Sequence, residues 1–454
     1  MNEAIRVCLI SLGCARNLVD SEVLLGHVAE EGLAIVPEPA DADVVVVNTC
    51  GFIESAKQES IDTILEACRL KDDGSVKGVV AVGCLAQRYA DDLRSSIPEL
   101  DAVLGISDYS GVPGVVRRIV NGTDKRMVAT VDGGRPKSSR SDVGRVLLTP
   151  KSYAYLRISE GCDHTCSFCA IPNMRGRNRS KPMDVLLEEA RRIAGAGVKE
   201  LVVVAEDTTA YGLDLDRKRS IHVLLEKLAD TPGIEWVRLM YAYPHTVLPE
   251  LTTVMREHEK VVPYLDIPVQ HISSAMLRGM RRGVDSSQVR RILSRLREEV
   301  PGIAVRTTFI VGFPGETEAD QDELRRFVAE YRFERMGVFC YSHEEGTAAF
   351  ALEGLVRSEL AEERRAELMA MQKTIHVARN EGLVGTRMRV LVDGRDAAAP
   401  GEIALARSTA DAPEVDSHVR VIASGLEAGD LVDVEITGVD EYDLIARAIP
   451  QGDA

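Results

Sequence analysis

No stretch of this 454-residue chain approaches the ~20 consecutive apolar residues that a membrane-spanning helix requires, so no span is expected. The opening residues, M-N-E-A-I-R-V-C-L-I-S, lack a basic segment leading into a long apolar one. A secretory signal needs both, and the expected location is cytoplasmic. Positive charge is also short: 55 Lys and Arg face 71 Asp and Glu, a formal net charge of -16. A protein held to bare nucleic acid mainly by counterion release is basic. This balance argues against such binding and favours a basic partner. Nine Cys, clustered at particular places, point to a reducing compartment and metal ligation rather than a disulfide framework. The length allows roughly two to four domains with ample cores.

What is present is concentrated in residues 158–172, I-S-E-G-C-D-H-T-C-S-F-C-A-I-P. Cys162, Cys166 and Cys169 fall in a C-x3-C-x2-C spacing. Three thiolates on one short loop can wrap one metal centre. A structural zinc site closes with four ligands, usually as two spaced pairs, and only His164, inside the loop, offers a fourth. Three Cys on a four-iron cluster would instead leave one iron open to a substrate. On spacing alone the iron cluster, a zinc knuckle and a redox thiol cluster all stand.

The chain before this loop alternates strand and helix patterns. Residues 5–12 read as a strand ending in Gly13-Cys14, the run 44–47 ends in Asn48-Thr49-Cys50, and 79–82 ends in Gly83-Cys84. β-branched runs of this kind suit buried parallel strands. In an open parallel α/β sheet the carboxyl ends of the strands share the edge where ligands bind. Cys14, Cys50 and Cys84, far apart in sequence, are therefore expected to converge on one centre. Cys8, Cys68 and Cys340 lie within strand or helix patterns and read as core residues.

Residues 131–147, rich in Gly, Ser and charge, read as a linker. Six strand patterns follow, at 153–158, 200–205, 236–241, 264–269, 304–311 and 335–341, each succeeded by a helix pattern. That predicts parallel βα units, too few for the eight of a full barrel. The cysteine loop then falls at the carboxyl-end mouth, with Glu206 and Asp207 beside it, while His271 reads as structural. Residues 357–380 form a charged connecting helix, and five short strand patterns beyond Gly382 suggest a small barrel. The fold class is α/β. An N-terminal open parallel α/β domain spans 1–130, a partial (β/α)6 barrel 148–380, and an OB-like antiparallel β-barrel 381–454.

C-x3-C-x-F-C, with Phe168 beside the last Cys, resembles the signature of the radical S-adenosylmethionine enzymes. With a second trio of Cys upstream, the whole chain resembles the methylthiotransferase family. The stretches S-L-G-C-A-R-N-L-V-D-S-E, I-P-N-M-R-G-R-N-R-S and A-R-S-T-A-D-A-P-E-V-D resemble the branch that acts on an aspartate of small-subunit ribosomal protein twelve. The resemblance implies two 4Fe–4S clusters, one on Cys14, Cys50 and Cys84 and one on Cys162, Cys166 and Cys169. It implies S-adenosylmethionine near Phe168, Glu206 and Gly312, and a C-terminal barrel of the TRAM type. The reaction implied replaces the aspartate β-C–H by C–S–CH3, with no catalytic side chain beyond the cluster ligands. One S-adenosylmethionine would supply the radical and another the methyl group. An electron donor such as a flavodoxin or ferredoxin is implied, and a monomer is expected.

The family's other branch, which modifies a tRNA adenosine at C2, is the alternative. A non-catalytic ribosome-binding protein with structural zinc is another. From Leu383 onward fourteen acids face six Arg, and Tyr442 is the sole aromatic. A barrel that grips RNA wants a basic groove and stacking platforms, so a basic ribosomal protein suits this one better and no direct tRNA substrate is expected. Glu206 stands where this family commonly has Gln. Ala15-Arg16 and His343 stand where it commonly has Pro-Lys and Pro, at positions expected not to touch a cluster ligand.

Overall fold

The computed structural model describes residues 4–122, 128–130, 142, 144–396, 399 and 403–450. Of the expected linker, residues 131–141 and 143 lie outside the described residues.

The first domain is a sheet of Arg6–Ser11, Ala34–Ile35, Val44–Thr49, Gly78–Gly83, Ala102–Leu104 and Val128–Thr130. All its pairings are parallel. Val44 to Val47 and Val79 to Val82 are wholly buried, because helices cover both faces. Leu24, Val28, Val115 and Val116 pack on Val46 and Val80, while Ile64, Ala67 and Cys68 pack on Val45 and Val79. Burial on both faces is why these runs are continuously apolar rather than alternating.

The second domain is a sheet of six parallel strands: Tyr153–Arg157, Glu200–Val204, Trp236–Leu239, Val261–Asp266, Ala304–Val311 and Arg335–Cys340. They lie side by side in chain order, and the first and last are unpaired with each other. The fourth begins three residues earlier than its pattern suggested. Ile267, Val269 and Ile272 are apolar because they pack in the core, and the left-handed backbone of Gln270 (φ 77°) takes the chain out of the ladder. Cys340 also departs from expectation. It ends an edge strand, is half-buried, and its thiol donates to Glu362 at 3.4 Å.

The third domain is a closed barrel of Arg387–Arg395, Ile403–Arg407, Val419–Ile422, Leu431–Asp440 and Asp443–Ala448. It is not wholly antiparallel: Val419–Ile422 pairs parallel with Asp443–Ala448. Five strands cannot alternate direction all the way round a closed ring, so one pair must run parallel.

One face of the central sheet packs on its own helices. The other, carrying Tyr153, Tyr155, Val202, Val204 and Tyr264, is covered by Val19 and Val23 of the first domain and by Ala412 of the third. Ion pairs fix the third domain there. Glu200 is fully buried between Arg238 (2.6 Å) and Arg407 (2.7 Å). Tyr153 and Tyr155 donate to Glu414, each at 2.9 Å, and Arg335 pairs with Asp411. Several of the fourteen acids are thus spent inside this junction, and the outer surface is less acidic than the sequence count implied.

Candidate active site

Cys14 caps the helix Ala15–Glu30, Cys50 follows Val44–Thr49, and Cys84 opens the helix Cys84–Arg88 directly after Gly78–Gly83. These three strands are adjacent, with Ser11 opposite Asn48 and Thr49 opposite Gly83. The three thiols therefore sit at one edge. Burial, with the neighbouring Cys84 and Cys14, pushes the Cys50 thiol up to about 11. Desolvation acts on Cys14 too, but the guanidiniums of Arg16 and Arg175 outweigh it and hold that thiol below its usual value. Arg175 Nη2 also donates to Cys84 Sγ at 3.5 Å.

The second trio sits on the loop after the short strand Ser159–Glu160. Gly161 (φ 78°) starts it, and a Cβ there would lie 2.3 Å from the Arg177 carbonyl oxygen, so only glycine fits. The Cys162 N–H donates to the Gly176 carbonyl at 3.0 Å, and the Ser167 N–H to the Met280 carbonyl at 3.1 Å. Burial pushes Cys162 and Cys169 each up to about 12. Buried thiols of this kind need a metal to become thiolates. Among the described residues no three His, Cys, Asp or Glu side chains close on a single ion. An iron–sulfur cube holds its thiolates further apart than one ion does, and two sets of three thiols fit that larger group. His164 is committed elsewhere: Nε2 bonds Asp207 Oδ2 at 2.7 Å, and its ring stacks on Tyr243 with centroids 3.6 Å apart.

A cavity of about 210 Å³ joins Cys162, Cys166, Cys169, Phe168 and Glu206 to Arg16, Tyr241, Gln270 and Arg282. Both carboxylate oxygens of Glu206 are buried without a hydrogen bond; the nearest cations are Arg175 Nε at 3.8 Å and Arg16 Nε at 3.9 Å. A second, more apolar cavity of about 250 Å³ shares Phe52, Phe168, Gln270 and Thr308 with it and adds Ile310, Phe339 and Tyr341. Gly312 lines neither cavity. Its φ is 77°, and a Cβ at this position would lie 2.6 Å from Ala361 Cβ. Both facts reserve it for the close approach of helix Ser358–Glu381.

Arg16 corrects an expectation. Its Nη2 donates to Cys14 Sγ at 3.6 Å, so this position does touch one of the six predicted ligands. His343 does not, and stacks on Phe350 instead. Arg175 and Arg282 were also missed. Arg282 Nη1 donates to Cys166 Sγ at 3.3 Å. The only sequence signal was the placing of Arg16 and Arg175 just after a trio member.

Three family models match the chain in order: uncharacterized protein family UPF0004 over residues 6–105, the radical SAM superfamily over 156–328 and the TRAM domain over 384–449. The ribosomal protein uS12 methylthiotransferase RimO of Anaeromyxobacter sp. (strain K) is 46% identical over 98% of this chain and 94% of its own length. That of Aquifex aeolicus is 44% identical over 97% of each. The chain belongs to the RimO family. It is thus a radical S-adenosylmethionine methylthiotransferase, and the radical SAM match implies a 4Fe–4S cluster with S-adenosylmethionine. TsrM of Kitasatospora setae, a radical S-adenosylmethionine methyltransferase, shares the fold, with a TM-score of 0.53 at 14% identity over 82% of this chain and 89% of that one. No helix among the described residues is long and apolar enough to cross a membrane.

Proposed function

We propose that this RimO-family chain methylthiolates an aspartate β-carbon of ribosomal protein uS12. Cys162, Cys166 and Cys169 hold the radical cluster, and Cys14, Cys50 and Cys84 hold a second one. When bound, the two clusters and S-adenosylmethionine supply one-electron chemistry, a hydrogen-abstracting radical, a methyl group and a site for sulfur.

The observation that carries this reading is a cavity lined by Cys162, Cys166 and Cys169 and linked to the other trio through Arg16. Arg16 borders that cavity and touches Cys14. The residues around it divide the remaining tasks. Glu206, buried with both oxygens free of hydrogen bonds, suits the amino group of S-adenosylmethionine. Phe168 and Ile310, walling the apolar cavity, suit its adenine. Gly312 acts at one remove, by seating helix Ser358–Glu381 behind that wall. Arg282 and Arg175 donate to Cys166 and Cys84 and balance thiolate charge. Phe52 and Phe168 exclude water. The electron arrives from a flavodoxin- or ferredoxin-class donor.

Mass spectrometry of uS12 and of tRNA nucleosides, from a strain lacking its own enzyme and supplied with this gene, tests the proposal. One methylthio group on the uS12 aspartate is expected. Unmodified uS12 together with a methylthiolated tRNA adenosine would overturn it.

A further inference from the structure

We propose that Arg16 is the specificity-determining cation that receives the carboxylate of the residue being modified. This rests on the uS12 reading above and adds how the site selects an acidic side chain.

Arg16 stands between Cys14 of one trio and the cavity lined by the other. Its Nη2 donates to Cys14, and it lines the cavity with Cys162, Cys166 and Cys169. Three neighbours hold it in place. Nη1 donates to the Ala205 carbonyl at 3.3 Å, the Tyr241 ring lies 5.1 Å away, and Glu206 lies 3.9 Å from Nε. Tyr241 itself has a left-handed backbone (φ 58°), a strained conformation of the sort found at ligand clamps.

For all that, Arg16 Nε is buried without a hydrogen-bond partner. A buried unsatisfied donor is costly and calls for a partner. The substrate side chain brings one. Reaction at an aspartate β-carbon places a carboxylate one bond from the reacting atom, inside a cavity already lined by Glu206, Cys162, Cys166 and Cys169. A second anion enters such a place only against a cation. The other two guanidiniums at the site each keep one unpartnered nitrogen as well, Arg175 Nη1 and Arg282 Nε, but each is bound to the sulfur of a single trio. Arg175 pairs with Asp20 at 2.6 Å and donates to Cys84. Arg282 donates to Cys166 and to the Pro268 carbonyl and lies 4.2 Å from the Tyr243 ring. Arg16 is the one that borders both trios.

The test is the affinity of the anaerobically reconstituted enzyme for uS12 carrying Asp or Asn at the modified position. It is measured by calorimetry for the native enzyme and for Arg16→Lys, Arg16→Met and Arg16→Gln, with iron content determined alongside. A charge-assisted hydrogen bond is worth roughly a 10- to 100-fold preference. The native enzyme is expected to prefer Asp by that factor, Arg16→Lys to keep most of it, and the two neutral variants to bring the ratio near one. Equal affinity of the native enzyme for Asp and Asn overturns the proposal whatever the variants do. So does an unchanged preference in either neutral variant. Failure of the underlying reading looks different: native enzyme with Asp-bearing uS12 would then yield no methylthio product.

Discussion

Arg175, on the helix that follows the loop of Cys162, Cys166 and Cys169, donates to the sulfur of Cys84 in the first domain at 3.5 Å. The same Nη2 lies 2.6 Å from Asp20, which also meets Arg157 at 2.5 Å, all three side chains buried. A residue of the radical domain thus completes the surroundings of the other domain's thiols.

Arg175→Met should therefore do two things. It removes one partner of a buried ion pair, at a cost of about 3 kcal/mol, with Arg157 still compensating Asp20 in part. It also strips a charge-assisted contact from Cys84. Urea unfolding should show the lower midpoint, and iron analysis a loss greater than that of Arg175→Lys.

Glu200 joins the central sheet to the third domain. Glu200→Ala leaves Arg238 and Arg407, both buried, without their shared carboxylate, and should destabilise by about 3–5 kcal/mol. Glu200→Ala with Arg238→Met should recover part of that, because Arg407 keeps Asp393 at 2.6 Å while Arg238 loses the carboxylate it pairs with. Thermal unfolding of the single and double variants checks the order.

His376 gives a pH dependence. Burial, and then the neighbouring Arg335, hold its imidazole below the usual value. Arg335 Nη1 donates to Nδ1 at 3.1 Å, and Nε2 meets the Tyr442 carbonyl at 2.8 Å, an arrangement made for the neutral ring. The unfolded chain takes up a proton near pH ~6.5, whereas the folded chain does so only at lower pH. Stability must fall as pH drops from ~6.5 towards the depressed folded value, and be unaffected by this group above ~6.5. Urea midpoints between pH ~7.5 and ~5.5, a window that brackets the unfolded-state titration, should show the decline, and His376→Gln should flatten it.

Most strands were legible because burial on both faces leaves uninterrupted β-branched runs, as in Val44–Thr49 and Gly78–Gly83. The placing of Cys162, Cys166 and Cys169 on one loop and of Cys14, Cys50 and Cys84 at one sheet edge was legible from loop spacing and from strand ends. The charged framework was not. Arg16 and Arg175 act through side chains that span domains, and Arg282 reaches Cys166 from a distant part of its own domain; no local pattern marks where a long side chain ends. The stretch Ala406 to Asp416 stood out only as a resemblance, while its task is to bind the barrel to the central sheet through Arg407, Asp411 and Glu414. The parallel pair in that barrel follows from counting its strands, once closure is known.

The central claim is a division of labour between two cysteine trios, and one paired measurement tests it. Each trio is replaced by alanine in turn, and iron, S-adenosylmethionine cleavage and methylthiolated uS12 are measured on the anaerobically reconstituted proteins. Iron should fall from about eight to about four per chain in both. Cys14→Ala/Cys50→Ala/Cys84→Ala should still cleave S-adenosylmethionine yet give no methylthio product, and Cys162→Ala/Cys166→Ala/Cys169→Ala should cleave none. Full iron and full methylthiolation after loss of Cys14, Cys50 and Cys84 would contradict the account.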